Sequence, residues 1–369
     1  MKKALLAVAV LLLLTSQSAG GASYPISISY GRSWPLSIAV DSARGLVYVD
    51  STSGENPPVG FTFGVINATS HSLIRSIPLD EIPGPVAFDQ ESGVAYVGGN
   101  ISIQAFNATS AIKMVDTSGH QILGMTFDSS ASPDIFFTSG SGVFALDPVS
   151  SEIVRNATVP NGPYWPVLDP DNGMLYVSEY ISGGIAVLNA STLALVTTIA
   201  LPSCCAAQMA LDASTQTLYA STGRNSVYMV DAATDVFVKS AQVAQSSQNS
   251  TGPIAVDNVT DRVYVGSSPG GSILELDGST GAVVGTFLVQ SQVAGLAVDT
   301  KTQELYATNY HQVTVFDATK TRSFRLLFGL VLVAVAAVVV IAVFVLLRRR
   351  DERERMRVQS GYSSGPARG

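Results

Sequence analysis

Apolar residues in this chain come in short runs that alternate with polar ones and are cut by Gly, Pro, Asn, Asp and Ser. Between Gly252 and Val289 the sequence reads GPIAVDNVTDRVYVGSSPGGSILELDGSTGAVVGTFLV, four apolar runs (PIAVD, RVYVG, SILELD and AVVGTFLV) rich in β-branched residues. Period-two alternation broken by turn residues predicts four antiparallel strands joined by tight hairpins. A lone four-stranded sheet cannot bury both of its faces. The unit therefore calls for copies of itself packed face to face around an axis.

The copies are present. The second-strand pattern around Tyr48 (GLVYVD) recurs at Tyr96, Phe137, Tyr176, Tyr219, Tyr264 and Tyr306, with steps of 48, 41, 39, 43, 45 and 42 residues. An apolar run ending in Asp precedes each one: Asp41, Asp89, Asp128, Asp169, Asp212, Asp257 and Asp299. A third run ending in an Asx turn follows: Asn67, Asn107, Asp147, Asn189, Asp231, Asp277 and Asp317. A four-strand step of about 40–45 residues is the period of a propeller blade. The seventh copy has only three strands, while YPISISY (Tyr24 to Tyr30) is a surplus strand ahead of the first. Pairing that strand with the last blade closes the ring and hides an open edge. The predicted fold is all-β, a seven-bladed β-propeller.

These repeats resemble the YVTN family of β-propeller repeats, whose pattern is an apolar-AVD strand, a turn, YV, a turn, an apolar-D strand and a final strand. The resemblance covers about Ser23 to Lys320. The third copy departs from it, with FFTS in place of the tyrosine run. Such repeats are frequent in surface-layer and envelope proteins, so the resemblance implies a location at the cell envelope. It implies no particular ligand.

The two ends lie outside the repeats. Residues 1–22 read as a secretory signal, with Lys2 and Lys3, an apolar run from Ala4 to Leu14, then small residues. After the ectodomain (23–320) and a short linker (321–325), Leu326 to Leu347 is an unbroken apolar stretch. At 1.5 Å per residue it is about 33 Å of helix, enough to cross a bilayer core. Arg348, Arg349, Arg350, Arg353, Arg355 and Arg357 follow, which places the tail (348–369) in the cytoplasm. The expected topology is a single-pass type I membrane protein in the cell membrane, with the propeller extracellular. The chain leaves after the third strand of the last blade, so the hairpin-turn face should sit toward the membrane. The opposite face, built from the connections between strands two and three and between blades, points outward.

Charge sharpens this picture. Of 21 Lys/Arg and 28 Asp/Glu in the chain, 12 and 25 lie outside the signal and the tail. An acidic ectodomain argues against nucleic acid as a partner. The expected partners are the membrane and an extracellular protein or glycan.

Candidate chemistry is sparse. Trp34, Tyr164, Trp165, Tyr180 and Tyr310, with Glu55 and Glu179, fall in loops of the outward face. There their rings could stack on a sugar or anchor a partner, or pack between blades. Cys204 and Cys205 are the only cysteines. Outside the cell they could form a vicinal disulfide, an intermolecular bridge or two buried thiols, with the vicinal bond the expectation. Sequons at Asn67, Asn100, Asn107, Asn156, Asn189, Asn249 and Asn258 are candidate N-glycosylation sites, although Asn and Thr also suit Asx turns. DPDNG (Asp169 to Gly173) reads as a hairpin turn rather than a calcium loop. With three histidines from three blades and no HExxH, CxxC, P-loop or dinucleotide fingerprint, no metal, cofactor or catalytic residue is predicted. The leading expectation is a surface protein that binds an extracellular ligand through its outward face. An envelope enzyme of lactonase-like or quinoprotein-like type using the central funnel, and a structural lattice component, stay open beside it.

Overall fold

The computed structural model describes residues 25–53, 60–129, 133–203, 205–243, 250–268, 271–289, 291–320 and 348. The chain divides into two units, Met1–Ala318 and Thr319–Gly369. Of the second, Thr319, Lys320 and Arg348 are described. The predicted signal and membrane span lie outside the described residues, as does the rest of the linker and tail. Among the described residues no helix is long and apolar enough to cross a membrane.

The first unit is a seven-bladed β-propeller. Among the described residues, 28 strands form seven antiparallel four-stranded sheets. Six sheets are built from consecutive strands. The seventh combines Gly295–Asp299, Glu304–Asn309 and Gln312–Asp317 with the N-terminal strand Ile26–Ser29. Ile26 pairs with Val315 and Ser29 with Gln312, so the surplus strand completes the incomplete blade.

The innermost strands of blades one to seven are Ser33–Asp41, Val86–Asp89, Gly124–Phe127, Pro163–Asp169, Met209–Asp212, Ser250–Asp257 and Gly295–Asp299. Each touches the innermost strand of both neighbouring blades, and the series returns to its start. Those of blades one, four and six are longer and carry a bulge, at Pro35/Ile38, Pro163/Pro166 and Thr251/Ile254. Each bulge contains a proline, which lacks the N–H that a regular ladder would need.

The core lies between blades, not within them. Seven apolar clusters fill the seven blade–blade interfaces. The one between blades seven and one includes Ile28 and Tyr30 from the closing segment. The repeated second-strand aromatic is central to this packing: Tyr48, Phe136, Tyr176, Tyr264 and Tyr306 are fully buried or nearly so. In blade three the register gives this position to Phe136 and not to Phe137, because Phe136 pairs with Thr126, two residues before Asp128. Two tyrosines also reach the next blade by their hydroxyls. Tyr176 donates to Ala232 O at 2.7 Å, and Tyr219 to Gly278 O at 2.9 Å. At the closing interface His71 Nε2 lies 2.9 Å from Glu304 Oε1, and Glu304 Oε2 accepts from the Tyr306 hydroxyl.

A second inter-blade bond recurs two residues after the aromatic. The hydroxyls of Thr308 and Ser178 donate to Leu36 O and Ala207 O on the innermost segment of the next blade, at 2.5 and 2.8 Å. Thr138 donates likewise to Tyr164 O at 2.6 Å. The repeated Asp and Asx positions close the turns. Asp41, Asp169, Asp257 and Asp299 are buried, and each accepts a bond from a backbone N–H two or three residues on. DPDNG is such a turn, with Gly173 N donating to Asp169 O. In the other hairpin, the hydroxyls of Thr280 and Ser279 hold the Asp277 carboxyl down at about 2.

Blades meet closely enough to require glycine at Gly295. A Cβ there would lie 2.5 Å from the backbone oxygen of Leu36 in the first blade. Gly295→Ala is therefore expected to push the last and first blades apart and to cost about 1–3 kcal/mol. Chemical denaturation of the variant checks this, and an unchanged midpoint would show that the seam yields freely.

Candidate functional site

The face made by the loops between strands two and three and by the connections between blades carries all five aromatics singled out from sequence. They form two separate groups. Trp34 and Tyr310 meet at the junction of blades one and seven, with ring centroids 4.8 Å apart. His311 joins them, 4.6 Å from Tyr310, and its Nδ1 lies 3.1 Å from Ser33 O. Tyr164, Trp165 and Tyr180 gather on blade four, with Tyr164 5.8 Å from Tyr180 and 6.2 Å from Trp165. No ring contact among the described residues links the two groups.

Tyr164 and Tyr180 of this group line a cavity of about 350 Å³ with Leu123, Gly140, Gly162, Pro163 and Ile181. Its geometry follows from the local sequence. Asn161 and Gly162 take φ of 70° and 71°, a tight turn that leads into Pro163. The turn's carbonyls receive the opposite loop: Tyr180 N donates to Gly162 O at 2.9 Å and Ile181 N to Asn161 O at 3.0 Å. Glu179, 3% exposed, braces the same loop by accepting from Ser182 Oγ at 2.5 Å and from Asn161 Nδ2 at 3.4 Å. Tyr180 and Ile181 thus stand on a backbone-bonded frame while 52% and 71% exposed. Burial, and to a lesser degree Tyr180, raises the Tyr164 phenol above its usual range.

The five aromatics play different parts. Trp165 packs against the core between blades four and five, and its backbone N–H donates to Ser178 Oγ. Tyr164 is half-buried and forms a wall of the cavity. Tyr180 and Tyr310 are exposed. Glu55 lies outside the described residues. Ile181 was not legible as a site residue, because an isoleucine after a strand looks like core. The signal was the following Ser-Gly-Gly, which ends the strand and leaves the side chain on a loop.

Cys205 is disulfide-bonded and has a φ of 82°. Cys204 lies outside the described residues. Among the sequons, Asn67, Asn107 and Asn189 sit in turns on the opposite face. There Asn107 Oδ1 accepts from Thr109 N and Ser110 N, and Asn189 Oδ1 from Thr192 N. Asn100, Asn156 and Asn258 are exposed, and Asn249 lies outside the described residues. Along the innermost strands, the only acidic or basic side chains are the Asp residues that close the first hairpins. Among the described residues no group of three or more His, Cys, Asp or Glu is placed to hold a metal ion.

The different burial of neighbouring rings sorts packing from contact. Trp165→Ala is expected to destabilise the propeller by about 3 kcal/mol. Tyr180→Ala should stay within about 0.5 kcal/mol of the parent. Denaturation midpoints of the two variants check this, and equal losses would place Tyr180 in the core as well.

No family model matches this chain, and no curated protein is similar to it.

Proposed function

We propose that this chain is a membrane-anchored propeller of the YVTN-repeat, surface-layer type that binds an extracellular glycan or envelope protein through its loop face. The observation that carries the reading is the blade-four cleft. Two tyrosines and an isoleucine, held by backbone bonds, line a cavity large enough for a sugar ring or an anchoring side chain. A rigid aromatic surface loses little conformational entropy on binding. The scarcity of ionisable groups on the innermost strands favours binding over funnel catalysis.

Anchoring rests on the sequence: a signal at residues 1–22, the apolar stretch Leu326 to Leu347 and the arginines after it. Export makes the sequons glycan acceptors and the protein a glycoprotein. Asn67, Asn107, Asn189 and Asn258, in turns opposite the cleft, would leave it uncovered. The short tail rests in the cytoplasm.

The test uses the full chain in lipid nanodiscs, titrated against arrayed surface glycans and against envelope extract. Binding is expected, with a loss of tenfold or more for the Tyr164→Ala/Tyr180→Ala double variant. Absence of any binding, or equal affinity in the double variant, would overturn the proposal.

A further inference from the structure

Asp50 breaks the pattern of its repeat position. At the equivalent place the other blades carry Gly98, Thr138, Ser178, Ser221, Gly266 and Thr308, all uncharged. Asp50 has no solvent exposure. Its Oδ1 accepts from Ser37 N at 2.6 Å, while its Oδ2 is buried without a hydrogen-bond partner. None of the ion pairs among the described residues includes it.

The segment that Asp50 grips is a node of the ring. Leu36 O receives the Thr308 hydroxyl from blade seven, and Ser37 Oγ donates to Gly84 O of blade two at 2.9 Å. The bulge at Pro35/Ile38 thus ties the last, first and second blades together, with the Asp50 carboxyl directly against it. Tyr30, which follows the closing strand, has a buried hydroxyl that likewise lacks a partner.

We propose that Asp50 is a proton-dependent latch for ring closure: neutral, it fits the junction of blades seven, one and two, and ionised, it loosens that junction. The cause is desolvation, since a buried carboxylate with a free oxygen and no cation loses its hydration without replacement. Burial raises the Asp50 carboxyl to about 8, against weaker opposing pulls from the backbone amides of Ser37 and Leu36. The other ionisable groups on the packed elements do not offset this. Tyr30 is itself raised by burial and by the field of Asp50. Asp41 and Asp89 are engaged in their hairpin turns, and Glu81 is taken up by the amides of Asn100 and Ile101. His311 of blade seven is engaged at Ser33 O, four residues before Ser37.

The sign follows from proton linkage. Between the ordinary carboxyl range and about pH 8 the folded chain holds a proton that the unfolded chain has released, so stability falls as pH rises through that window. This latch is independent of any ligand on the loop face.

The experiment compares the full chain with Asp50→Asn and Asp50→Thr from about pH 5 to about pH 9. The parent's melting temperature is expected to fall by at least about 5 °C more than that of either variant over this range. Amide protection in the Tyr30–Asp41 segment, relative to the intrinsic exchange rate at each pH, should fall in parallel, in the parent alone. Infrared spectra of the parent give a readout that does not depend on the variants folding: a protonated-carboxylic C=O band near pH 6 that fades on alkalinisation. Parallel pH profiles in parent and variants, or no such band, would overturn the proposal.

Discussion

Face-to-face packing of neighbouring blades is the constraint on which this molecule rests. No blade owns a core. Each contributes one face to the interface before it and the other to the interface after it, so the seven clusters are complete only when the ring is closed. The recurrent tyrosine fits this role because it brings a large apolar ring and, at Tyr176 and Tyr219, a hydroxyl that reaches a carbonyl on the next blade. The hydroxyl two residues further on does the same nearer the axis. Burial falls off outward: the fourth strands of blades three and five alternate between exposed and more buried residues, and that of blade one is almost wholly exposed.

The loop face and the turn face follow different rules. Outside the first turn of blade three and the outer turn of blade two, the turns between strands one and two, and between three and four, are five-residue loops closed by an Asx side chain and a left-handed fifth residue. Gly45, Gly93 and Gly173 occupy that position in some blades and Gln216, Asp261 and Gln303 in others, all with positive φ. The stereotyped turns leave little room for individual chemistry. The loop face is free of this requirement, and there the blades differ in length, in aromatic content and in bulges at proline. A cleft could form on blade four because its prolines displaced the innermost strand and its Asn-Gly turn offered carbonyls to the facing loop.

Much of this architecture could be read from the chain because the repeat obeys two local signals, alternation and turn chemistry, that do not depend on distant contacts. The missing strand of the last blade and the surplus strand ahead of the first made closure legible too, and Ile26 pairs with Val315 accordingly. Strand ends were less legible: the innermost strand of blade four begins at Pro163, and that of blade five only at Met209. The bulges that every complete blade carries near its outer hairpin left no mark in the pattern. Nor did the division of the aromatics into two groups, which depends on where each loop folds back. Asp50 follows Tyr-Val as a strand residue among others, and only the packing of blades seven, one and two takes its carboxyl away from water. His71 and Glu304, far apart in sequence, meet only because the ring closes.

Closure by the Ile26–Ser29 strand has a consequence for biosynthesis. Its partner, Gln312–Asp317, follows almost the whole propeller in the chain, about 290 residues later. At roughly 5–20 residues per second of synthesis, the first strand made waits on the order of 15–60 s for the last. Throughout that interval it is an unpaired edge of Ile and Ser beside growing sheets with open faces of their own. A chain built this way depends on its early blades holding together while the circle is still an arc.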